Sequence, residues 1–322
     1  PDPAPSVPIL GDCHALNAGT FRGPDGRTVW GLNDFDQAGV GSPEWDLERL
    51  AVSLYVASRS NEKSPEESLA LVKKMADTYL SHLGENGPAY LSEGESSGKI
   101  YGLIKKAGSK SAEKFLRKWT TPEGERLVRG DKLEDIKEPR GEQVRNALTT
   151  TFPEYTFLDT ASKPHSGGST RGLERYYSLV RSPERERPWI LETKAVLPCP
   201  VQTPDGDLSR GDGAEVIDYW TRMGGVVAQR QRAFRLDKVA FFTREREHEK
   251  NALDEEQSEL EAASVGIGQV LARAHTRSGA DLKAWVSGRE DLLVENLSRF
   301  TRHYARQVES DFRVWRSHFG TE

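Results

Sequence analysis

Two acid-bearing loops separated by one hairpin-length segment constrain this chain more than any other feature. Gly11-Asp12-Cys13-His14-Ala15-Leu16-Asn17 comes first, and Asn33-Asp34-Phe35-Asp36 comes second. Between them, Phe21 and Val29-Trp30-Gly31-Leu32 flank Gly23-Pro24-Asp25-Gly26. Strand-forming residues on either side of a Gly/Pro/Asp turn read as a β-hairpin over 20–35. A hairpin returns the chain to the level it left, so Asn17 and Asp34 are expected at one end of it.

That spacing suits phosphoryl transfer from ATP. The reaction needs a carboxylate to orient or deprotonate the attacking hydroxyl, and an Asn and a second Asp to hold Mg²⁺ against the phosphates. In kinases the first Asp and the Asn lie five positions apart on one loop, as Asp12 and Asn17 do. Asp12 is therefore the candidate catalytic residue. Asn17 and Asp34 are the candidate metal ligands, with Asp36 as a helper, because oxygen donors suit a hard cation. Gly-Asp-x-His alone is common, and by itself would leave Asp12 a turn residue and His14 a core histidine. The order of the whole set weighs against that. Gly41-Ser42-Pro43-Glu44-Trp45-Asp46-Leu47 then opens a helix. Aminoglycoside and choline kinases carry a similar Gly-x-Pro-x-x-Asp-Leu segment, whose Asp braces the catalytic loop. Asp46 is the corresponding residue.

A second group lies far downstream. Ser166-Gly167-Gly168-Ser169-Thr170-Arg171-Gly172 falls between strand-like segments, and Lys194 lies on a strand after it. Glycine-rich turns let backbone N–H groups approach phosphates, and a strand lysine can pair with them. Gly167, Gly168, Ser169, Gly172 and Lys194 are the candidate nucleotide-binding residues. Glu215 is the candidate acidic partner of Lys194. Leu271-Ala272-Arg273-Ala274-His275 is similar to a helix that precedes the catalytic loop in the same small-molecule kinases, where its histidine supports that loop.

The element pattern reads as helices at both ends and strands between. Helices are expected at 46–60, at 64–83 behind a Ser64/Glu67 capping box, at 214–234, and at about 252–277 and 289–317. Strands are expected at 155–158, 175–180, 189–196 and 238–243. The division that follows is 1–150, a helical part with the catalytic loop; 151–245, a β-rich nucleotide-binding lobe; and 246–322, helices completing the first part. The fold class is α+β, a protein-kinase-like two-lobed fold. The catalytic loop precedes the glycine-rich lobe, the reverse of the usual order, as a circular permutation would give.

These motifs together resemble an uncharacterised bacterial family, domain of unknown function 2252. Its pattern includes Gly-Asp-x-His-x-x-Asn, Asn-Asp-Phe-Asp and Trp-Asp-x-x-Arg-Leu, matched here by Gly11 to Asn17, Asn33 to Asp36 and Trp45 to Leu50. Gly172-Leu173-Glu174-Arg175-Tyr176, the Lys194 strand and Leu271 to His275 are similar to its later islands. The chain departs in having Ala195 directly after the lysine and a longer glycine loop. The resemblance implies a relative of the kinase and aminoglycoside phosphotransferase superfamily, using ATP and Mg²⁺ on an unknown acceptor, a small molecule by analogy.

Composition narrows the rest. Net charge is -5, with 45 Lys and Arg against 50 Asp and Glu, which argues against a general nucleic-acid binder. Cys13 and Cys199 are the only cysteines, too few for a disulfide framework or a structural zinc site. No apolar run is long enough for a membrane span, and a cytoplasmic location is expected. The alternatives are an adenylyltransferase or a nucleotide-binding pseudokinase on the same fold, or a non-enzymatic interaction protein.

Overall fold

The computed structural model describes residues 3–164, 172–225, 230–254 and 256–319. The chain is a mixture of α and β built around three sheets. β1 (Val7–Ile9) pairs with β4 (Gly39–Gly41), and β2 (Ala18–Arg22) and β3 (Thr28–Leu32) form the expected hairpin, extended by β5 (Tyr90–Leu91). The larger sheet contains β6 (Thr156–Ser162), β7 (Arg175–Ser182), β8 (Arg185–Ala195), β9 (Arg232–Leu236) and β10 (Val239–Glu245). Its strand order is β6-β7-β8-β10-β9, with every neighbour antiparallel.

Local sequence explains the two helices that follow the site. α1 (Pro43–Ser60) starts where Ser42 accepts from the Glu44 N–H, with Pro43 in the first turn. It buries Leu47, Leu50, Ala51 and Leu54, a single helical stripe. α2 (Pro65–His82) carries the expected capping box: Ser64 Oγ accepts from Glu67 N at 3.2 Å, and Glu67 Oε2 from Ser64 N at 2.8 Å. α3 (Gly98–Gly108) lies on the hairpin, whereas α5 (Arg140–Thr151) packs on β6 and β9. Trp119, at the end of α4 (Ala112–Trp119), meets Tyr177 edge-on. Residues well before 150 therefore lie against the larger sheet. α7 (Gln257–Thr276) and α9 (Glu290–Phe319) return to α1 and α2, with the short α8 (Leu282–Val286) between them.

The expected helix at 214–234 is only half present. α6 (Gly213–Tyr219) continues into a wider turn at Trp220–Gly224 and stops at Gly225, which is left-handed (φ 71°). Glycine adopts that conformation without steric cost, so it ends the helix. Arg232-Ala233-Phe234-Arg235-Leu236 then pairs with β10 and becomes β9. No helix among the described residues is long and apolar enough to cross a membrane.

The alternation of the larger sheet decides what reaches the site. Along β8, Trp189, Leu191 and Ala195 enter a cluster with Val144, Leu148 and Phe152 of α5 and its end. Ile190, Glu192 and Lys194 therefore point to the opposite face. Glu192 and Lys194 are both buried, so their charges need partners on that face.

Candidate active site

The loop between β1 and β2 is held from behind by α1. Asp46, buried in the first turn of α1, accepts from Leu10 N at 2.7 Å and from Gly11 N at 3.1 Å. His275 of α7 places Nε2 3.1 Å from Asp46 Oδ2, and Tyr79 OH lies 2.9 Å from His275 Nδ1. With Nε2–H donating to Asp46, Nδ1 is free to accept from the tyrosine hydroxyl. Tyr79, His275 and Asp46 thus form a buried chain that ends on the backbone of the loop.

Gly11 is the only residue type that fits where it stands. Its φ is +76°, and an added Cβ would lie 2.2 Å from the Gln37 carbonyl oxygen. Gly11→Ala is expected to lower stability by at least ~2 kcal/mol, from the left-handed backbone and the clash together. Denaturant unfolding would measure it. A loss below ~0.5 kcal/mol, the range of neutral surface changes, would show that the loop can move away.

Within the loop, Asn17 Nδ2 donates to the Asp12 carbonyl at 2.5 Å, and Asn17 N donates to the His14 carbonyl at 2.9 Å. Asn33 N in turn donates to the Asn17 carbonyl at 3.3 Å, just beyond the last hairpin pair, Ala18 with Leu32. The hairpin therefore sets Asn17 beside the residue preceding Asp34. The Asp12 carboxylate is gripped on one side only: Arg49 Nε donates to Oδ1 at 2.8 Å. Arg49 lies three residues after Asp46 on α1, so the same helix holds both the backbone and the carboxylate of this loop.

Lys194 reaches from β8 to the second acidic loop. Its Nζ lies 2.6 Å from Asp36 Oδ2 and 3.7 Å from Asp34 Oδ1. Arg244, opposite Glu192 in the β8–β10 register, places Nη1 3.4 Å from the Asn33 carbonyl. Glu215 is exposed on α6, which buries Val216 and Tyr219 instead. The carboxylates of the Asn-Asp-Phe-Asp segment take the place expected for Glu215. Burial pushes both carboxyls up. Lys194, the Asp36 contact and Arg244 nevertheless hold Asp34 below the usual carboxylate range, and Asp34's charge adds to burial in raising Asp36. The two titrate as a pair, with the second proton held more tightly than the first.

The donor set fits a hard cation that brings its own partners. Asp34 Oδ1 and Asp36 Oδ1 are buried and accept no hydrogen bond. The Asp34 side chain as a whole is 39% exposed, so it also faces open space. No group of three or more His, Cys, Asp or Glu side chains suited to a metal occurs among the described residues. Mg²⁺ does not need one, since it commonly uses one or two carboxylates with waters and substrate phosphates.

Gly167, Gly168 and Ser169 lie outside the described residues. Gly172 is described; it is left-handed (φ +84°) with open space where a Cβ would stand. A narrow cleft of about 70 Å³ is lined by Thr20, Arg22, Asn33, Glu192, Arg244 and Gln231, among others, and shares Glu192 and Arg244 with the sheet that carries Lys194. Among the described residues nothing partners the buried Gln231 amide N and O. On the Asp12 side, a separate open groove runs between α1 and α9 past Leu16, Trp45, Arg49, Val56 and Tyr304.

Arg49 enters the sequence reading only as the arginine of Trp-Asp-x-x-Arg-Leu, with no role given, and Glu192 and Arg244 do not enter it. The role of Arg49 could have been found, because Asp46 and Arg49 share a helix face. Glu192 could have been found from its alternation with Lys194. Nothing local marks Arg244, whose role depends on which strand lies next to β8.

Neither a comparison with curated proteins nor one with solved structures finds a match. A family model does match, over residues 1–318, spanning every segment that builds this site. The chain belongs to the bacterial family DUF2252, described as "Uncharacterized protein conserved in bacteria".

Proposed function

We propose that the chain is an ATP- and Mg²⁺-dependent phosphotransferase acting on a hydroxyl of a small-molecule acceptor. The observation that carries this reading is the meeting of Lys194 with Asp34 and Asp36, next to the loop that presents Asp12 and Asn17. A lysine between two carboxylates, with orphaned acceptor oxygens beside it, is a charge arrangement suited to triphosphate and a divalent cation. The finer kinship with kinases and the permuted order of the parts belong to this proposal too.

Asn17, Asp34 and Asp36 would hold Mg²⁺, which when bound neutralises phosphate charge. Lys194 would release part of its grip on Asp36 to pair with phosphate oxygens. The cleft lined by Arg22, Trp220 and Arg244 would take the nucleoside. Asp12 would orient the acceptor hydroxyl with the oxygen that Arg49 leaves free and take its proton. The acceptor oxygen forms the new P–O bond. The bridging P–O bond breaks, and its electron pair leaves on ADP. The groove past Trp45 and Tyr304 offers the acceptor an apolar wall.

Calorimetry with a non-hydrolysable ATP analogue, with and without Mg²⁺, tests the binding half. Ligand at about 100 times its Kd should stabilise the wild type by ~2.7 kcal/mol. Asp34→Ala should abolish the Mg²⁺-dependent part of binding, because a hard cation loses an anionic oxygen. Asp12→Ala should bind almost normally but lose roughly 10²–10⁴-fold in turnover. Equal loss of affinity in both variants would remove the distinct roles. No binding by a folded wild type would sink the proposal in favour of an interaction protein. ATP labelled at the α or the γ phosphate separates phosphoryl from adenylyl transfer.

A further inference from the structure

α9 outruns the body it packs on. Its first half lies against α1 and α2, with Leu297, Thr301 and Ala305 buried. From 309 to 319 every residue is exposed. Eleven helical residues span about 16 Å at 1.5 Å each. This overhang is not polar. Phe312, Trp315 and Phe319 are 56%, 47% and 72% exposed. Their rings form a continuous row, with centroids 5.9 Å apart for Phe312 and Trp315 and 6.4 Å for Trp315 and Phe319.

The row has a register. Thr301, Ala305, Val308, Phe312, Trp315 and Phe319 follow one another at alternating spacings of four and three residues. That is the a/d pattern of a coiled coil. Thr301 and Ala305 use these positions to bury against the body. The stripe then continues, in phase, past the end of the body. Apolar surface of this kind marks an interaction site.

We propose that this overhang is a homodimerisation arm, pairing antiparallel with the same arm of a second copy about a two-fold axis between residues 313 and 314. Self-complementarity selects a second copy over other partners. About that axis Val308 meets Phe319, and Phe312 meets Trp315. The charges divide in the same way. Glu309 and Asp311 stand in the first half, Arg316 and His318 in the second, and Arg313 lies next to the axis. Glu309 and Arg316 flank the stripe on one side, Asp311 and His318 on the other, so the antiparallel pair sets Glu309 against Arg316 and Asp311 against His318. A parallel pair would keep only the Asp311–Arg316 contact, which makes it the less favourable arrangement. The arrangement is isologous and closed, so it yields a dimer rather than a chain of copies.

Size sets the strength. At ~150–250 Å² per aromatic side chain, six rings a little over half exposed contribute roughly 700 Å². With helix stems added, the interface reaches only the lower end of specific contacts, about 1,000–1,200 Å². The dimer is therefore of micromolar affinity. This inference does not rest on the phosphotransferase reading, since no residue of the arm belongs to the site.

Sedimentation of the full chain across about 1–100 μM, a range bracketing micromolar Kd, tests it. The wild type should shift from monomer to dimer across that range. Trp315→Glu should stay monomeric throughout and melt like the wild type, because residues 309–319 are all exposed. Two charge variants test the charge pairing. One carries Glu309→Arg with Asp311→Arg; the other carries Arg313→Glu, Arg316→Glu and His318→Glu. Each alone should be monomeric, and an equimolar mixture should form a heterodimer. A wild type that is monomeric at the highest concentration overturns the proposal. So does a dimer that survives Trp315→Glu, or one indifferent to both charge variants.

Discussion

Asp46→Ala is expected to lower the unfolding free energy by about 3–5 kcal/mol, because three donors lose the one carboxylate that accepts from them. Asp46 is 1% exposed, and its oxygens receive two backbone N–H groups and the His275 ring. Alanine leaves Leu10 N, Gly11 N and His275 Nε2 without an acceptor, in a place that water reaches poorly. Each orphaned buried group costs ~1–3 kcal/mol. Asp46→Asn should lie between, since one amide oxygen can accept a single N–H while its NH₂ confronts the other. His275→Ala should be less than additive with Asp46→Ala, because both act through one contact. Hydrogen exchange supplies the local readout: protection of the Leu10 and Gly11 amides should collapse in Asp46→Ala before global unfolding. An alanine variant within ~1 kcal/mol of the wild type, with those amides still protected, would mean that the loop holds itself without α1.

Much of this brace is legible in the chain because it is local. Ser42-Pro43 starts a helix, so Asp46 must sit in a first turn with its carboxylate beside free N–H groups. The hairpin is legible for the same reason: Gly23 to Gly26 can only turn. What escapes is information carried by strand register. Lys194 invites an acidic partner, and proximity to a helix start suggests Glu215. The partner is instead supplied by Asp34 and Asp36, more than 150 residues earlier, because the sheet face carrying Lys194 lies over the hairpin end. The half-read helix at 214–234 has another cause. Its apolar spacing is real over Val216, Tyr219 and Trp220, but Gly224-Gly225 interrupts it, and the residues from Arg232 to Leu236 pair with β10 as a strand.

Glu192 is the residue of this face whose loss should matter most for stability. Its carboxylate is 2% exposed and lies 3.1 Å from Arg175 Nη2, 3.4 Å from Arg244 Nε and 3.7 Å from Arg246 Nη1. Tyr177 OH donates to it at 3.3 Å. The arginines are fixed from behind by aromatic faces, Arg244 over Trp220 at 4.9 Å and Arg246 over Tyr177 at 4.9 Å. They cannot swing to water when the anion is removed. Glu192→Ala should therefore cost about 3–5 kcal/mol at neutral pH, mostly as the penalty of stranded cations rather than of lost attraction. Burial raises the Glu192 pKa, but Lys194, Arg175 and Arg244 outweigh it and hold it well below the usual carboxylate range. A carboxylate depressed on folding stabilises the protein above its unfolded pKa, and that stabilisation fades as pH falls through the folded value. The gap between wild type and Glu192→Gln should thus be constant from pH 7 to about 5 and narrow below about 4.5. Denaturant midpoints taken down to the acid transition would trace it. A gap that widens with acid would reverse the sign and show that Glu192 is held protonated. The same variants bear on the site, because freeing Arg175 and Arg244 adds uncompensated positive charge beside Lys194. Glu192→Gln should consequently bind triphosphate more tightly than the wild type at low salt, and lose that advantage as salt screens the cluster.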